Sequence, residues 1–214
     1  EPLTEAGQTH IRDRIPEVRA TVLTALTRFK QILKTHEREA QTFGNFPSLF
    51  MGLVTEAGLW EYYDGPLRFV DSAGNIVADR LDPTHFEDFI GEAVQPDSYL
   101  KAPYYRPLGY PNQDYHCKID SGIYRVGPLA RLNVCTQIGT PLADLELREY
   151  RDRGNGTVTS SFFYHYARLI EILGSIEHIE QILEEPDILS THLRAEAGIN
   201  QLEGVGVSEA PRGT

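Results

Sequence analysis

Three kinds of side chain in this sequence could carry chemistry: its two cysteines, its seven histidines, and an arginine set between proline and glycine. Cys117 and Cys135 are far apart and form no CxxC pair. Thiolate sites for zinc or iron use closely spaced cysteines, so neither is assigned as a metal ligand. Both are read as free thiols of a reducing compartment. His10, His36, His85, His178 and His192 stand among polar residues and are read as surface side chains. His116 adjoins Cys117, and neighbouring loop residues rarely both reach one metal. His165 falls in a helical stretch where a buried, hydrogen-bonded imidazole is expected. Glu177 and Glu180 are spaced one turn apart, but Glu184 and Glu185 follow them. A solvated acidic face is expected there, not a working carboxylate pair.

Arg212 is of another kind. It stands between Pro211 and Gly213, straight after the apolar residues Val205 and Val207. Proline fixes the backbone on one side and glycine frees it on the other. That arrangement suits a guanidinium held rigidly over a buried anionic group. An ordinary turn with an exposed arginine has the same local sequence, so the residues alone leave both readings open.

The elements that must position these groups can be read from periodicity. Residues 16–42 carry Val18, Val22, Ala25, Leu26, Phe29, Ile32 and Leu33 at helical spacing. Pro16 suits the first turn of that helix, and Gly44 and Pro47 stop it. Residues 46–81 are β-rich, with short strands expected at 49–54, 60–63 and 66–70. A turn at 71–75 (DSAGN) leads into a return strand at 76–80. Asp82-Pro83 opens a short helix through Phe86, Phe89 and Val94. Residues 96–122 are rich in proline and tyrosine and read as an irregular loop, with a polar stretch at 112–121. Helices follow at 128–135 and 141–152. The longest runs over 160–184, with Phe163, Tyr166, Ile170, Leu173, Ile176, Ile179 and Leu183 as its stripe and Pro186 closing it. A short helix is expected at 187–197 and a strand within 199–208. The fold class is therefore α+β, mainly α: a long-helix bundle with an inserted small β region.

Composition narrows the function classes. The chain has 214 residues, 41% of them hydrophobic and 24% charged, which is the make-up of a globular protein. A formal net charge of -11 argues against binding a phosphate backbone, so no nucleic-acid partner is expected. No apolar run approaches the roughly 20 residues of a membrane span. The opening EPLTEAGQTH has neither the basic nor the apolar region of a signal peptide. Both ends read as cuts in a longer chain.

GIYRVGPLARLN (residues 122–133), SLFMGLV (48–54), SYLKAPYY (98–105) and VGVSEAPRGT (205–214) together resemble the large, catalytic subunit of nickel–iron hydrogenases. They are most similar to the cytoplasmic class that couples hydrogen to nicotinamide or another soluble carrier. The resemblance covers essentially all of residues 1–214, as an internal segment of that subunit. The polar stretch 112–121 departs from the family's pattern, in which proline and glycine lead almost directly into IYRVGPLARLN.

The resemblance implies reversible oxidation of H2 to protons and electrons at a nickel–iron centre with CO and cyanide ligands. In that family two CxxC pairs hold the centre, and neither pair lies in this stretch. These residues would then form a wall of the site and be inactive by themselves. The resemblance places Arg212 over the centre as a permanently protonated electrostatic donor. Pro211 would shape the pocket, with Ala210, Glu209 and Ser208 supporting the loop. As partners it implies a diaphorase module together with an iron–sulfur small hydrogenase subunit. It also implies H2 as substrate and a cytoplasmic location. The alternative is the metal-free quinone-pocket subunit of a complex I-type assembly, which shares the fold. There a lysine is expected in place of Arg212 and an acidic residue near Thr214.

Overall fold

Ile15, Val22, Leu26 and Leu33 recur at intervals of four and seven residues and give helix α1 (Glu5–Thr35) one buried stripe. The computed structural model describes residues 2–111, 121–193, 204–208 and 210. α1 starts at Glu5, well before Pro16, because Thr4 caps it: its Oγ1 accepts from the Gly7 amide at 3.1 Å. Pro16 therefore sits inside the helix, where it forgoes one backbone bond. Tertiary packing against a later helix outweighs that local cost. The helical stretch breaks at His36, and α2 (Glu37–Thr42) completes it.

The β region follows as β1 (Leu49–Leu53), β2 (Leu67–Val70) and β3 (Ile76–Leu81). β1 and β2 pair antiparallel with Phe50 opposite Val70, and β2 pairs antiparallel with β3. The expected strand at 60–63 is absent. Trp60 makes only an isolated bridge to Val54, which leaves residues 61–63 free to form a loop. α3 (Phe86–Phe89) is a single turn, and β4 (Ile90–Ala93) pairs antiparallel with β5 (Ala102–Tyr105). The helix expected from Asp82-Pro83 forms as a 3-10 turn (Pro83–His85) and α3, and the hairpin replaces only its end towards Val94 and the first part of the expected loop. Prolines at positions 96 and 103 hid the strands, although an edge strand tolerates proline.

β6 (Tyr124–Arg125) adds to β1 in parallel, giving the sheet order β3-β2-β1-β6. α4 (Pro128–Val134), α5 (Pro141–Asp152) and α6 (Tyr164–Ile182) complete the order. A 3-10 turn at Ser161–Phe163 precedes α6. Of the helix expected at 187–197, residues 187–189 form a turn and 190–193 are irregular, while 194–197 lie outside the described residues.

The sheet is covered on both faces, which explains why all five residues of β1 are buried. Phe50, Val54 and Val70 point into the main core with α1, α4, α5 and α6. Leu49, Met51, Leu53, Leu67 and Phe69 point the other way, under Phe89 and Tyr105. The fold is α+β and mainly helical, a helix bundle with a small sheet set into its side.

Candidate functional site

The run GIYRVGPLARLN folds as a strand, a sharp corner and a buried helix. A Cβ at Gly122 would come within 2.2 Å of the Tyr105 carbonyl oxygen, so the close approach there requires glycine. Gly127 turns the corner at φ +86 and Pro128 opens α4. Six of the seven residues of α4 are buried, and Arg131 is one of them, with no exposed surface. A guanidinium taken wholly out of water must be paired and hydrogen-bonded.

Its partner is Glu171 on α6. Arg131 Nε donates to Glu171 Oε1 at 2.6 Å and Nη2 donates to Oε2 at 2.9 Å, a two-pronged pair. Trp60 Nε1 donates to the same Oε1 at 3.2 Å, and the Arg131 guanidinium lies over the Tyr62 ring at 5.3 Å. Arg131 Nη1 then donates to the backbone carbonyl of Ala210 at 2.9 Å. One side chain thus joins α4, α6, the loop after β1 and the terminal segment.

That terminal segment lies along the sheet. Val207 packs on the apolar cluster of Leu49, Leu53 and Leu67. Val205, Gly206 and Val207 line a cleft of about 840 Å³ together with Leu53, Thr55 and Pro66. Of the residues expected in the site, Ala210 and Ser208 are described and exposed. Glu209, Pro211 and Arg212 lie outside the described residues, as do His116, Cys117 and positions 112–120 of the polar stretch.

The two residues that organise the site carried weak signals in the sequence. Glu171 follows Ile170 within the apolar stripe of α6, where a carboxylate needs a buried partner. Arg131 interrupts an otherwise apolar turn of α4. Neither element alone reveals that they meet.

A second arginine of the run is also committed to holding backbone. Arg125 donates to Ser48 Oγ at 2.8 Å, to the Thr159 carbonyl at 2.6 Å and to the Phe46 carbonyl at 3.1 Å. Its guanidinium covers the rings of Phe46 and Phe50.

Several sequence expectations change. Glu177 is buried and not part of a solvated acidic face: its carboxylate accepts from the amides of Leu142 and Ala143 at 3.0 and 2.9 Å. Glu180 pairs with Arg19. His165 is exposed where a buried imidazole was expected, because it points away from the stripe. His178 is half-buried, its ring 5.7 Å from that of Trp60. Cys135 is buried, and burial pushes its thiol up to about 12.

No family model matches the sequence. The chain is 38% identical over 173 residues to a subunit of the vhu F420-non-reducing hydrogenase of Methanococcus voltae, covering 81% of this chain and 39% of that protein. It is 36% identical over 166 residues to an iron-sulfur subunit of the F420-non-reducing hydrogenase of Archaeoglobus profundus, covering 77% of this chain and 33% of that one. A chain in the crystal structure of an NAD+-reducing NiFe-hydrogenase in the H2-reduced state superposes with a TM-score of 0.89. It shares 36% identity over all of this chain and 45% of its own length. The chain is related in sequence and fold to hydrogenase subunits and spans less than half the length of those it matches.

These likenesses correct two expectations. The Archaeoglobus relative is the iron-sulfur subunit of its hydrogenase, so the assignment to the large, nickel-carrying subunit is withdrawn. The nickel–iron centre with CO and cyanide is withdrawn with it, because the cofactor that a relative's name carries is iron–sulfur. The quinone-pocket alternative gains nothing from relatives that are all called hydrogenases.

The described residues do not fit an iron–sulfur cluster either. Such clusters take four thiolates, and the whole sequence has two cysteines. Cys135 is held as a neutral thiol, and among the described residues no three His, Cys, Asp or Glu side chains could hold a metal together. No helix among the described residues is long and apolar enough to cross a membrane.

Proposed function

We propose that this chain is the stretch of a hydrogenase subunit that builds the wall of the H2-reacting site, with Arg212 as its working electrostatic group. The observation that carries this reading is the likeness in fold, at 36% identity over the full chain, to a hydrogenase crystallised in its H2-reduced state. Oxidation of H2 releases two protons and two electrons, and a fixed positive group beside the reacting molecule favours its polarisation as the bond splits. A guanidinium stays protonated at any ordinary pH, so Arg212 serves as a fixed cation and hydrogen-bond donor and not as a proton acceptor. Pro211 restricts the backbone beside it, Ala210 fixes where the loop leaves the fold, and Glu209 and Ser208 support the loop. The electrons leave through other subunits of a cytoplasmic complex, a diaphorase module among them.

The test is Arg212→Lys in the complete parent protein, measured as H2-uptake turnover beside cofactor content. Lysine keeps the charge and loses the planar fork. Turnover is expected to fall by about 10²–10³, the scale for removing one preorganised donor, with cofactor content unchanged. Turnover within a few-fold of the parent would remove Arg212 from the mechanism.

A further inference from the structure

Asp64 and Gly65 stand where a carboxyl group and the next backbone amide can react with each other. The fold requires glycine at 65, because a Cβ there would lie 2.3 Å from the Val54 carbonyl oxygen. With no side chain beside it, the Gly65 nitrogen is open to the Asp64 carboxyl. Asp64 is exposed and lines the cleft that Val207 also lines, next to Tyr63, which is 87% exposed. Among the described residues nothing accepts from the Gly65 amide and nothing donates to the Asp64 carboxyl.

The comparable pairs in the chain are held. Among the described residues, Asp or Asn also precedes Ser or Gly at Asp71-Ser72, Asp97-Ser98 and Asn155-Gly156. The Asp71 carboxylate accepts from the amides of Ala73 and Asn75 at 2.9 and 2.8 Å and from the Asn75 side chain at 2.9 Å. The Ser98 amide donates to the Gln95 carbonyl at 3.4 Å. The Gly156 amide donates to the Arg151 carbonyl at 2.9 Å. Asn155-Gly156 is the most reactive of these pairs as a bare dipeptide, yet its attacking nitrogen is tied down. Folding leaves Asp64 without such a restraint.

We propose that Asp64 is a site of spontaneous modification, converting to isoaspartate in the folded protein. The Gly65 nitrogen attacks Cγ of Asp64, the N–Cγ bond forms, and the carboxyl hydroxyl leaves with the amide proton as water. The five-membered imide then takes up one water. Opening at Cγ restores aspartate, and opening at the main-chain carbonyl leaves the chain running through Cβ and Cγ. Mass is unchanged, and nothing is oxidised or reduced. The product carries one extra backbone carbon and a free α-carboxylate, the group that an isoaspartate-specific methyltransferase esterifies.

The extra atom has a defined place to go. Val54 N donates to the Pro66 carbonyl at 3.1 Å and Trp60 N donates to the Gln137 carbonyl at 2.9 Å, so the loop is fixed at both ends. Residues 61–65 take up the added length, at the mouth of the cleft.

The experiment ages the complete parent protein at 37 °C and pH 7.4 for several weeks, native and unfolded in guanidinium chloride. Peptides are then separated by retention at equal mass and labelled with an isoaspartate-specific methyltransferase and labelled S-adenosylmethionine. Isoaspartate at 64 should form in the native protein at close to its unfolded rate. Folding should slow the change at 71, 97 and 155 by about tenfold, the factor for first breaking one hydrogen bond. Asp64→Glu should abolish the label on its peptide, since the ring would then need six members. Absence of isoaspartate at 64 in the native protein, or protection of Asp64 as large as that of Asn155, would overturn the proposal. So would label on that peptide that persists in Asp64→Glu.

Discussion

Cys135 and Asp79 show how position sets the chemistry of single residues here. Cys135 closes α4 under a covering of apolar side chains, and burial raises its thiol to about 12. The thiolate is the reactive form. Native protein treated with iodoacetamide at pH 8 should therefore carry no label on the Cys135 peptide, and unfolded protein should carry it fully. Labelling of native Cys135 would contradict the burial. Asp79 moves the opposite way. Arg68 donates to it through Nε at 2.7 Å and Nη2 at 3.0 Å, and that pairing holds its carboxyl below the usual range. A depressed carboxyl contributes stability above its ordinary value, about 3.9, and loses it as pH falls through the folded value. Asp79→Asn should destabilise the protein at pH 7 and make little difference near pH 2, as read from urea midpoints. A difference that persisted in acid would mean the ion pair is not its source.

At the scale of elements, α5 begins without the cap its sequence suggests. Thr140 occupies the N-cap position, but its side chain makes no capping bond. Pro141 has no amide hydrogen, so Leu142 and Ala143 present the first orphan donors, and Glu177 reaches across from α6 to accept both. The helix start is thus stabilised by another helix, and its macrodipole favours that negative charge. Glu177→Ala should lower unfolding free energy by about 3 kcal/mol, the scale of two bonds to a charged acceptor. Glu177→Gln, which keeps one good acceptor, should cost less. Equal stability of all three proteins in urea titrations would remove the cap. This arrangement also shows what the sequence could tell. The span of α5 was legible from Pro141, which opens it, and from its apolar spacing. The β2–β3 hairpin was legible from its DSAGN turn. The start of α1 was misplaced because Pro16 is a stronger local signal than Thr4, yet packing decided the matter. Glu177 read as solvated because local spacing cannot see Leu142 and Ala143, 35 and 34 residues away. Arg131 and Glu171 stayed hidden for the same reason: each looks out of place until the other is brought opposite.

At the scale of the whole molecule, α1 docks on α6, and the salt bridges of α1, Arg19–Glu180 on α6 and Arg12–Glu184 just beyond it, join the first quarter of the sequence to the last. The partner of α1 therefore does not yet exist when α1 is made. Synthesis proceeds at about 5–20 residues per second. The 128 residues between the last residue of α1, 35, and the first of α6, 164, then take roughly 6–26 s to add. During that interval the stripe of Ile15, Val22, Leu26 and Leu33 lacks the α6 face it packs against. Nascent chains halted on the ribosome before residue 164 should be cut readily within α1 by added protease. Chains released with α6 complete should resist. Equal protection of both would mean that α1 finds shelter in the sheet and α4 first. The separation of α1 from α6 makes the burial of one helix wait on a segment made well after it.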